Sequence, residues 1–321
     1  MTARGFEVAM VLAAGRGQRM QPLTSVLPKP ALPMPDGPVI ASALRLAATA
    51  GARRIVVNAC HLADRMADAV AEAGVDGVEI KLSFEEQLMG TAGGLATARD
   101  RGMLGTEGSV LVINGDCVLS LDLRRFADHH SANNHLVTLA LLPHLDPEKW
   151  SRVELDADGL VTGFNPPGRP EAIEVPLLYP GVMAVHREAL DSLPGATPGD
   201  VPTALWNRAR SRGKLGGLVV AGHWREVGTP ADYLDVMLLR LAGTSMIHPS
   251  AANNSAAKIE NSFIGRRAVV SEGAVVEDSV IAEGAVIAEK ATVRRSVLLG
   301  DVRAGPGEVV VNGVRAATKA D

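Results

Sequence analysis

The sequence predicts an α/β domain built on a mainly parallel sheet, followed by a short β-solenoid. Short β-rich runs alternate with amphipathic helices over the first half of the chain, and an apolar leader recurs every five or six residues near its end. A content of 47% hydrophobic and 21% charged residues is that of a folded globular chain, and 321 residues suffice for one large domain and one small one. Aromatics make up only 3%, so the core has to be aliphatic and alanine-rich. A net charge of −4 without a long basic run argues against a nucleic-acid partner. At the N-terminus "VAMVLAA" is too short for a signal peptide or a membrane span, so the expectation is a cytoplasmic protein with no membrane partner.

Taken in order, "VAMVLAA" (8–14) reads as a buried strand and "VIASALRLAATA" (39–50) as a helix stopped by Gly51. "RIVVNA" (54–59) is the next strand, "LADRMADAVAEA" (62–73) the next helix, and "VEIKLSF" (78–84), "LATARD" (95–100) and "VLVIN" (110–114) continue the rhythm. Strands spaced by glycine-stopped helices imply right-handed βαβ units and hence a Rossmann-like parallel sheet. From Trp150 the pattern changes. "SRVELDADGLVTGF" (151–164) places Asp-Ala-Asp-Gly between two alternating runs, a hairpin signal. "GVMAVH" (181–186), "LGGLVV" (215–220) and the helical "PADYLDVMLLRLA" (230–242) follow.

Beyond residue 250 the leaders Ile264, Val270, Val276, Ile281, Ile287, Val293 and Leu298 are spaced 6, 6, 5, 6, 6, 5. "IENSF", "VEDSV" and "VRRSV" therefore recur every 17 residues, with Ser262, Ser279 and Ser296 in register. Three short strands per coil suit that period, each coil burying its leaders only against the next. The pattern resembles left-handed hexapeptide-repeat β-helices, with about three coils. The boundary is expected where "GTSMIHPS" interrupts the last helix, giving a first domain over 1–243, a solenoid over 244–314 and a tail over 315–321.

One loop carries the chemistry. In "MVLAAGRGQRMQPLTSVLPKPALP" (10–33) a buried strand breaks into two glycines and two arginines, then a lysine lies between prolines. A dinucleotide fingerprint needs a third glycine where Met20 stands, and a P-loop needs Gly-Lys-Ser/Thr. The remaining reading is a cradle for a nucleoside triphosphate. Gly15 and Gly17 let backbone amides approach the phosphates, Arg19 reaches them, and proline on either side holds Lys29 in place. A plain solvated loop would not need Arg19 and the Pro28-Lys29-Pro30 clamp as well.

These residues closely resemble the signature of the sugar-1-phosphate nucleotidyltransferases, and further blocks agree in order: "GTAGGL" (90–95), "VINGD" (112–116), "YPGVMAVHRE" (179–188) and "WREVGTPADY" (224–233). The resemblance spans residues 8–242. "GTAGGL" and the repeat tail look most like the mannose-1-phosphate guanylyltransferase branch, while "NACHLADRM" and "TAGGL" also look like bacterial uridylyl- and heptose-phosphate guanylyltransferases. The resemblance implies attack by a sugar 1-phosphate oxygen on the α-phosphorus of an NTP, with pyrophosphate released. It casts Arg19 and Lys29 as catalytic cations that neutralise growing phosphate charge. Leu12, Ala13, Ala14, Gly15, Gly17, Gly90, Thr91, Ala92 and Gly115 become the nucleotide-binding set.

It also implies Mg²⁺, which takes carboxylates together with phosphate oxygens. Asp116, at the end of an apolar run, and Glu226, where the family usually has aspartate, are the expected ligands. A surface salt bridge to a neighbouring arginine is the competing reading of Glu226. Many members carry Phe-x-Glu-Lys-Pro in mid-chain; here the stretch reads "GFNPPGRPEA" (163–172), with no lysine. Arg169 is the candidate to replace it as a phosphate ligand, and Glu174 and Gly181 are the candidates facing the sugar. Guanylyl transfer to mannose 1-phosphate is the first specific expectation. The alternatives are uridylyl, thymidylyl or adenylyl transfer to another sugar or cyclitol phosphate, and a catalytically silent paralogue that binds nucleotide-sugar.

Other features are read as structural. Cys60 and Cys117 are expected as two reduced thiols; adjacent Cys60 and His61 diverge on a strand. His129, His130 and His135 match no familiar zinc spacing and read as a polar helix end and turn. The arginine pairs beginning at 53, 124, 266 and 294 read as solvated. With only His248 at its edge, the solenoid lacks an evident acyltransferase base, so its expected role is contact between copies in a homo-oligomer.

Overall fold

The computed structural model describes residues 5–318 apart from 145, 147 and 169–174. In chain order it contains β1 (Val8–Leu12), β2 (Pro33–Met34), β3 (Gly37–Pro38), α1 (Ala41–Thr49), β4 (Arg54–Ala59), α2 (Ala63–Glu72), β5 (Glu79–Phe84), α3 (Gly90–Asp100), β6 (Val110–Asn114), β7 (Cys117–Leu121), α4 (Phe126–Ala132), β8 (Val137–Pro143), β9 (Arg152–Leu155), β10 (Val161–Asn165), β11 (Leu177–Leu178), β12 (Val182–Val185), α5 (Arg187–Asp191), α6 (Asn207–Ser211), β13 (Leu215–Val219), β14 (Gly222–Glu226) and α7 (Pro230–Leu241). The solenoid strands follow. Two compact units divide the chain. One takes in the chain up to Gly15 with Ser42–Ala63 and Gly74–Trp224; the other is Arg16–Ala41, Asp64–Ala73 and the chain from Arg225.

The first unit is organised by one sheet, ordered β10-β9-β11-β8-β12-β6-β1-β4-β5, with β13 also paired to β8. Pairs β1–β4, β1–β6 and β4–β5 are parallel, as glycine-stopped crossover helices require. The sheet is mixed rather than uniformly parallel. β12 runs antiparallel to both β6 and β8, and β11, β9 and β10 extend that antiparallel half. The expected hairpin is β9–β10, closed through Asp156, whose carboxylate accepts from the Asp158 and Leu160 amides. Met10, Val56, Leu95, Val112, Leu139, Leu141 and Val185 meet in an aliphatic core. Strand order reverses beside β1: the chain goes from β1 outward to β4 and β5, then returns through α3 to β6 on the other side. Such a switch point leaves a crevice at the strands' carboxyl ends.

The histidines form a buried network in this unit. His130 contacts Ser109 Oγ through Nε2 (3.0 Å) and Thr138 Oγ1 through Nδ1 (2.7 Å), and His135 Nδ1 reaches the same hydroxyl at 3.1 Å. Burial and the neighbouring His135, His186 and His129 push the His130 imidazolium down to about 3. The two cysteines are thiols rather than a disulfide.

In the second unit the solenoid strands form three parallel sheets, the faces of a left-handed β-helix. Each strand pairs with one a coil later, as Phe263↔Val280 and Val280↔Val297. The coils extend further than the leaders suggest, from Met246 to Ala317; the first coil carries exposed Ala252–Asn253 where the next two carry Val269–Val270 and Val286–Ile287. Ile264, Val270, Val276, Ile281, Ile287, Val293 and Leu298 are all buried along the axis. At one corner Asn261, Asp278, Arg295 and Asn312 adopt positive φ, and the serines after the first three join coil to coil. Ser279 N–H donates to Ser262 Oγ and Ser296 N–H to Ser279 Oγ, both at 3.1 Å, while each hydroxyl donates to the carbonyl two residues back. Among the described residues no helix is long and apolar enough to cross a membrane.

Candidate active site

The predicted residues fall into two clusters, one in each unit. In the first, β1 delivers Leu12 and then Ala13, Ala14 and Gly15 beyond its end; Ala13 and Ala14 are buried and Gly15 is exposed. Beside it β6 ends at Asn114, and Gly115 N–H donates to Leu12 O at 2.8 Å. A Cβ at Gly115 would come within 2.8 Å of Val11 Cγ1 and 3.1 Å of Leu12 O, so only glycine permits that approach. The half-buried Asp116 carboxylate follows at once, at the switch point between β1 and β6.

Gly90, Thr91 and Ala92 open α3, and their polar groups are engaged within the unit. Ala92 N–H donates to Gly199 O (3.0 Å), Thr91 Oγ1 accepts from Val201 N–H (2.9 Å), and Gly199 N–H donates to Met89 O (2.9 Å). At Gly90, where φ is +70°, a Cβ would sit 2.5 Å from Gly199 O. Gly181, proposed for the sugar, has φ +87° and lets β12 close on β6: a Cβ there would lie 2.7 Å from Asn114 Nδ2, and Asn114 N–H donates to Gly181 O at 2.8 Å. Arg169 and Glu174 lie outside the described residues.

Sequence reading missed two polar residues here. Asn58 and Glu85 are buried at 3% and 6% exposure at the ends of β4 and β5. Asn58 Oδ1 accepts from Ala13 N–H at 2.7 Å, and Asn58 Nδ2 donates to Glu85 Oε1 at 2.7 Å. Glu85 Oε2 accepts from Met89 N–H at 3.1 Å. The only signal in the sequence was a polar residue ending or directly following each apolar run.

In the second unit the signature loop is a series of tight turns. Gly17 takes left-handed geometry (φ 59°, ψ 41°), its carbonyl accepting from Met20 N–H and from Thr24 Oγ1. Pro28 leads into a turn over Lys29–Ala31, with Ala31 N–H donating to Pro28 O at 2.8 Å and Ile40 N–H to Pro30 O at 2.9 Å. Lys29 is held with 6% exposure. Arg19 and Glu226, assigned different roles from sequence, are an ion pair: Arg19 Nη2 is 2.9 Å from Glu226 Oε1, the arginine side chain 67% exposed and the glutamate 20%. A second acid stands beside Glu226. Asp232, capped by Thr229, lies so close that a Cβ at Gly228 would be 2.9 Å from the Glu226 carboxyl and 3.1 Å from Asp232 Oδ2. Its signal was the Thr-x-x-Asp spacing, which marks a helix start. Taken singly, the Asp116 carboxylate of the first unit and the Glu226 carboxylate of the second each offer hard oxygens of the kind Mg²⁺ takes, so the chemistry of either residue fits that ion.

Residues 8–242 match the nucleotidyl transferase family, and residues 241–317 match the GlmU-like C-terminal hexapeptide family. The chain is 28% identical over 280 residues to mannose-1-phosphate guanylyltransferase of Mycobacterium tuberculosis, covering 83% of this chain and 77% of that one. It is 26% identical to probable mannose-1-phosphate guanylyltransferase 2 of Oryza sativa subsp. japonica, covering 83% and 73%. In fold it resembles the crystal structure of HddC from Yersinia pseudotuberculosis, with a TM-score of 0.61 at 18% identity over 72% of this chain and 97% of that one. That protein has also been solved complexed with GMP-PN.

Proposed function

We propose a specific reaction for this chain, which belongs to the nucleotidyl transferase family: guanylyl transfer from GTP to mannose 1-phosphate, yielding GDP-mannose and pyrophosphate. An anionic oxygen of the sugar phosphate forms the new bond to the α-phosphorus while the bond from α-phosphorus to the bridging oxygen of pyrophosphate breaks. No proton has to be removed from the nucleophile, so the protein's work is positioning and neutralisation of charge. Lys29, locked between prolines, brings a fixed ammonium to the reacting phosphates, and Arg19 contacts the β- and γ-phosphates after exchanging Glu226 for substrate. Backbone groups of Leu12–Gly15, with Gly17, Gly90–Ala92 and Gly115, form the nucleotide side. Arg169 serves the sugar phosphate, and Glu174 and Gly181 the sugar.

Asp116 and Glu226 would hold Mg²⁺, which when bound supplies electrophilic polarisation of the phosphates. The catalytic region is 1–243 and the solenoid 244–314, with a tail over 315–321; the solenoid brings copies together in a cytoplasmic homo-oligomer.

The observation that carries this reading is the switch point at β1 and β6, where Gly115 packs on Leu12 with Asp116 directly behind it. The names of the curated relatives favour guanine and mannose. The test is pyrophosphate release with Mg²⁺ across ATP, GTP, CTP, UTP and dTTP against a panel of sugar 1-phosphates. GTP with mannose 1-phosphate is expected to give the highest rate. A maximum elsewhere would reassign the substrates, and a blank grid with nucleotide-sugar still bound in calorimetry would make the chain a regulatory paralogue.

A further inference from the structure

Asn58 and Glu85 have no part in the roles assigned above, yet they are among the few polar side chains buried in the first unit. They form one directed chain of hydrogen bonds, Ala13 N–H to Asn58 Oδ1, Asn58 Nδ2 to Glu85 Oε1, and Met89 N–H to Glu85 Oε2. Three donors meet three acceptors, and the arrangement works only because a carboxylate accepts at both oxygens. The chain ties the end of β1 to the residue just before α3. Gly94 makes room for it, since a Cβ there would lie 2.8 Å from Asn58 Nδ2 and 2.9 Å from Glu85 Oε1. The glycines of "GTAGGL" thus answer to three different neighbours: Gly90 to Gly199, Gly93 to Thr197 and Gly94 to this pair.

We propose that Asn58 and Glu85 are positioning residues that brace the Ala13 and Met89 backbone in the geometry that takes up the nucleoside triphosphate. The inference rests on the nucleotidyl-transfer reading, because the two braced segments, 12–15 and 90–92, are the ones given to the nucleotide there. A buried carboxylate facing two donors is costly to bury unless fully paired. Placing it at the ends of two strands, away from the aliphatic core, sets the path of the loops beyond them.

Hydrogen-bond direction supplies the test. Glu85→Gln removes one acceptor, so whichever way the new carboxamide turns, one donor faces another. Asn58→Asp sets two carboxylates against each other. In the double variant the two groups have simply exchanged places. The carboxylate now at position 58 accepts from Ala13 N–H and from the carboxamide now at position 85, whose oxygen accepts from Met89 N–H. All three bonds return with the same total charge.

The experiment measures GTP affinity by calorimetry on the full chain, and the nucleotide KM and kcat, well below the melting temperature. Each single substitution is expected to raise Kd and KM for GTP about tenfold while kcat changes less than about threefold, and the double to return within about threefold of the parent. Gly94→Ala, which disturbs the pair by volume alone, is expected to shift Kd in the same direction and guards against a single variant that does not fold. Folded variants that melt earlier yet bind GTP as the parent does would overturn the proposal, as would a double variant no better than the worse single. A parent chain that binds no nucleotide would overturn the nucleotidyl-transfer reading and this proposal with it. A parent that binds while the variants are unmoved overturns this proposal alone.

Discussion

In the solenoid, Ser279 accepts from the serine one coil later and donates to its own corner; in the α/β unit, Asn58 reaches a carboxylate 27 residues away to hold a third segment. Both regions bury polar groups and satisfy them, but the solenoid does so by repeating one neutral rung at a fixed interval. In the α/β unit the Asn58–Glu85 pair does it with a charge, at the ends of two strands. The first arrangement stabilises a stack whose parts are interchangeable. The second specifies the geometry of one place. On that contrast, substitutions in the solenoid should move stability and leave turnover per folded molecule alone, and substitutions at the candidate site residues should do the reverse.

The largest effect sought is on turnover. Lys29→Ala and Asp116→Ala should each lower kcat about a hundred- to a thousandfold with far-ultraviolet dichroism unchanged. A normal rate in either variant breaks the contrast on the catalytic side. On the solenoid side, Ile281→Ala removes a fully buried leader and should cost about 2–4 kcal/mol in denaturant unfolding, with kcat/KM unchanged at a temperature where the variant is folded. Ser279→Ala is a sharper probe. It leaves the Ser296 N–H without its acceptor and should cost about 1–3 kcal/mol, whereas Ser296→Ala orphans Gly313 N–H nearer the end of the stack and should cost less.

Acid distinguishes the regions in another way. His130 is held neutral well below its ordinary 6.5, so the unfolded chain binds the extra proton between pH 6.5 and about 3. Its contribution is complete above pH 6.5 and is lost as pH falls, at roughly 1 kcal/mol per pH unit. His130→Gln should flatten that slope in melts of the α/β unit. The smallest effect belongs to the exposed ladder of Lys258, Glu277 and Arg294 on one solenoid face. Glu277→Gln should lower the melting temperature only slightly, and salt should erase even that difference, because exposed pairs are screened.

How much of this was legible depended on how locally each feature is encoded. The 17-residue register was plain because every coil meets the next at the same offset, and the pairing Val280↔Val297 only restates it in space. The clamp on Lys29 was legible for a similar reason, since proline acts on its immediate neighbours. The antiparallel insertion of β12 was not, because "GVMAVH" is an apolar run that would serve equally in either direction. The role of Gly94 was hidden too: a glycine inside a helix shows no purpose until Asn58 and Glu85 are seen where its side chain would be.

By itself, then, the sequence determined the α/β pattern, the solenoid and its period, and the turns of the glycine- and proline-rich signature loop, all carried by periodicity, turn chemistry or residues a few positions apart. Tertiary structure alone decided that β12 enters the sheet reversed, that Arg19 holds Glu226 across 207 positions of the chain, and that Asn58 and Glu85 join the end of β1 to the start of α3. The physical reason is that such pairings depend on which backbone ends the fold brings within about 3 Å of each other, the reach of a hydrogen bond, and no local preference of either residue records that distance.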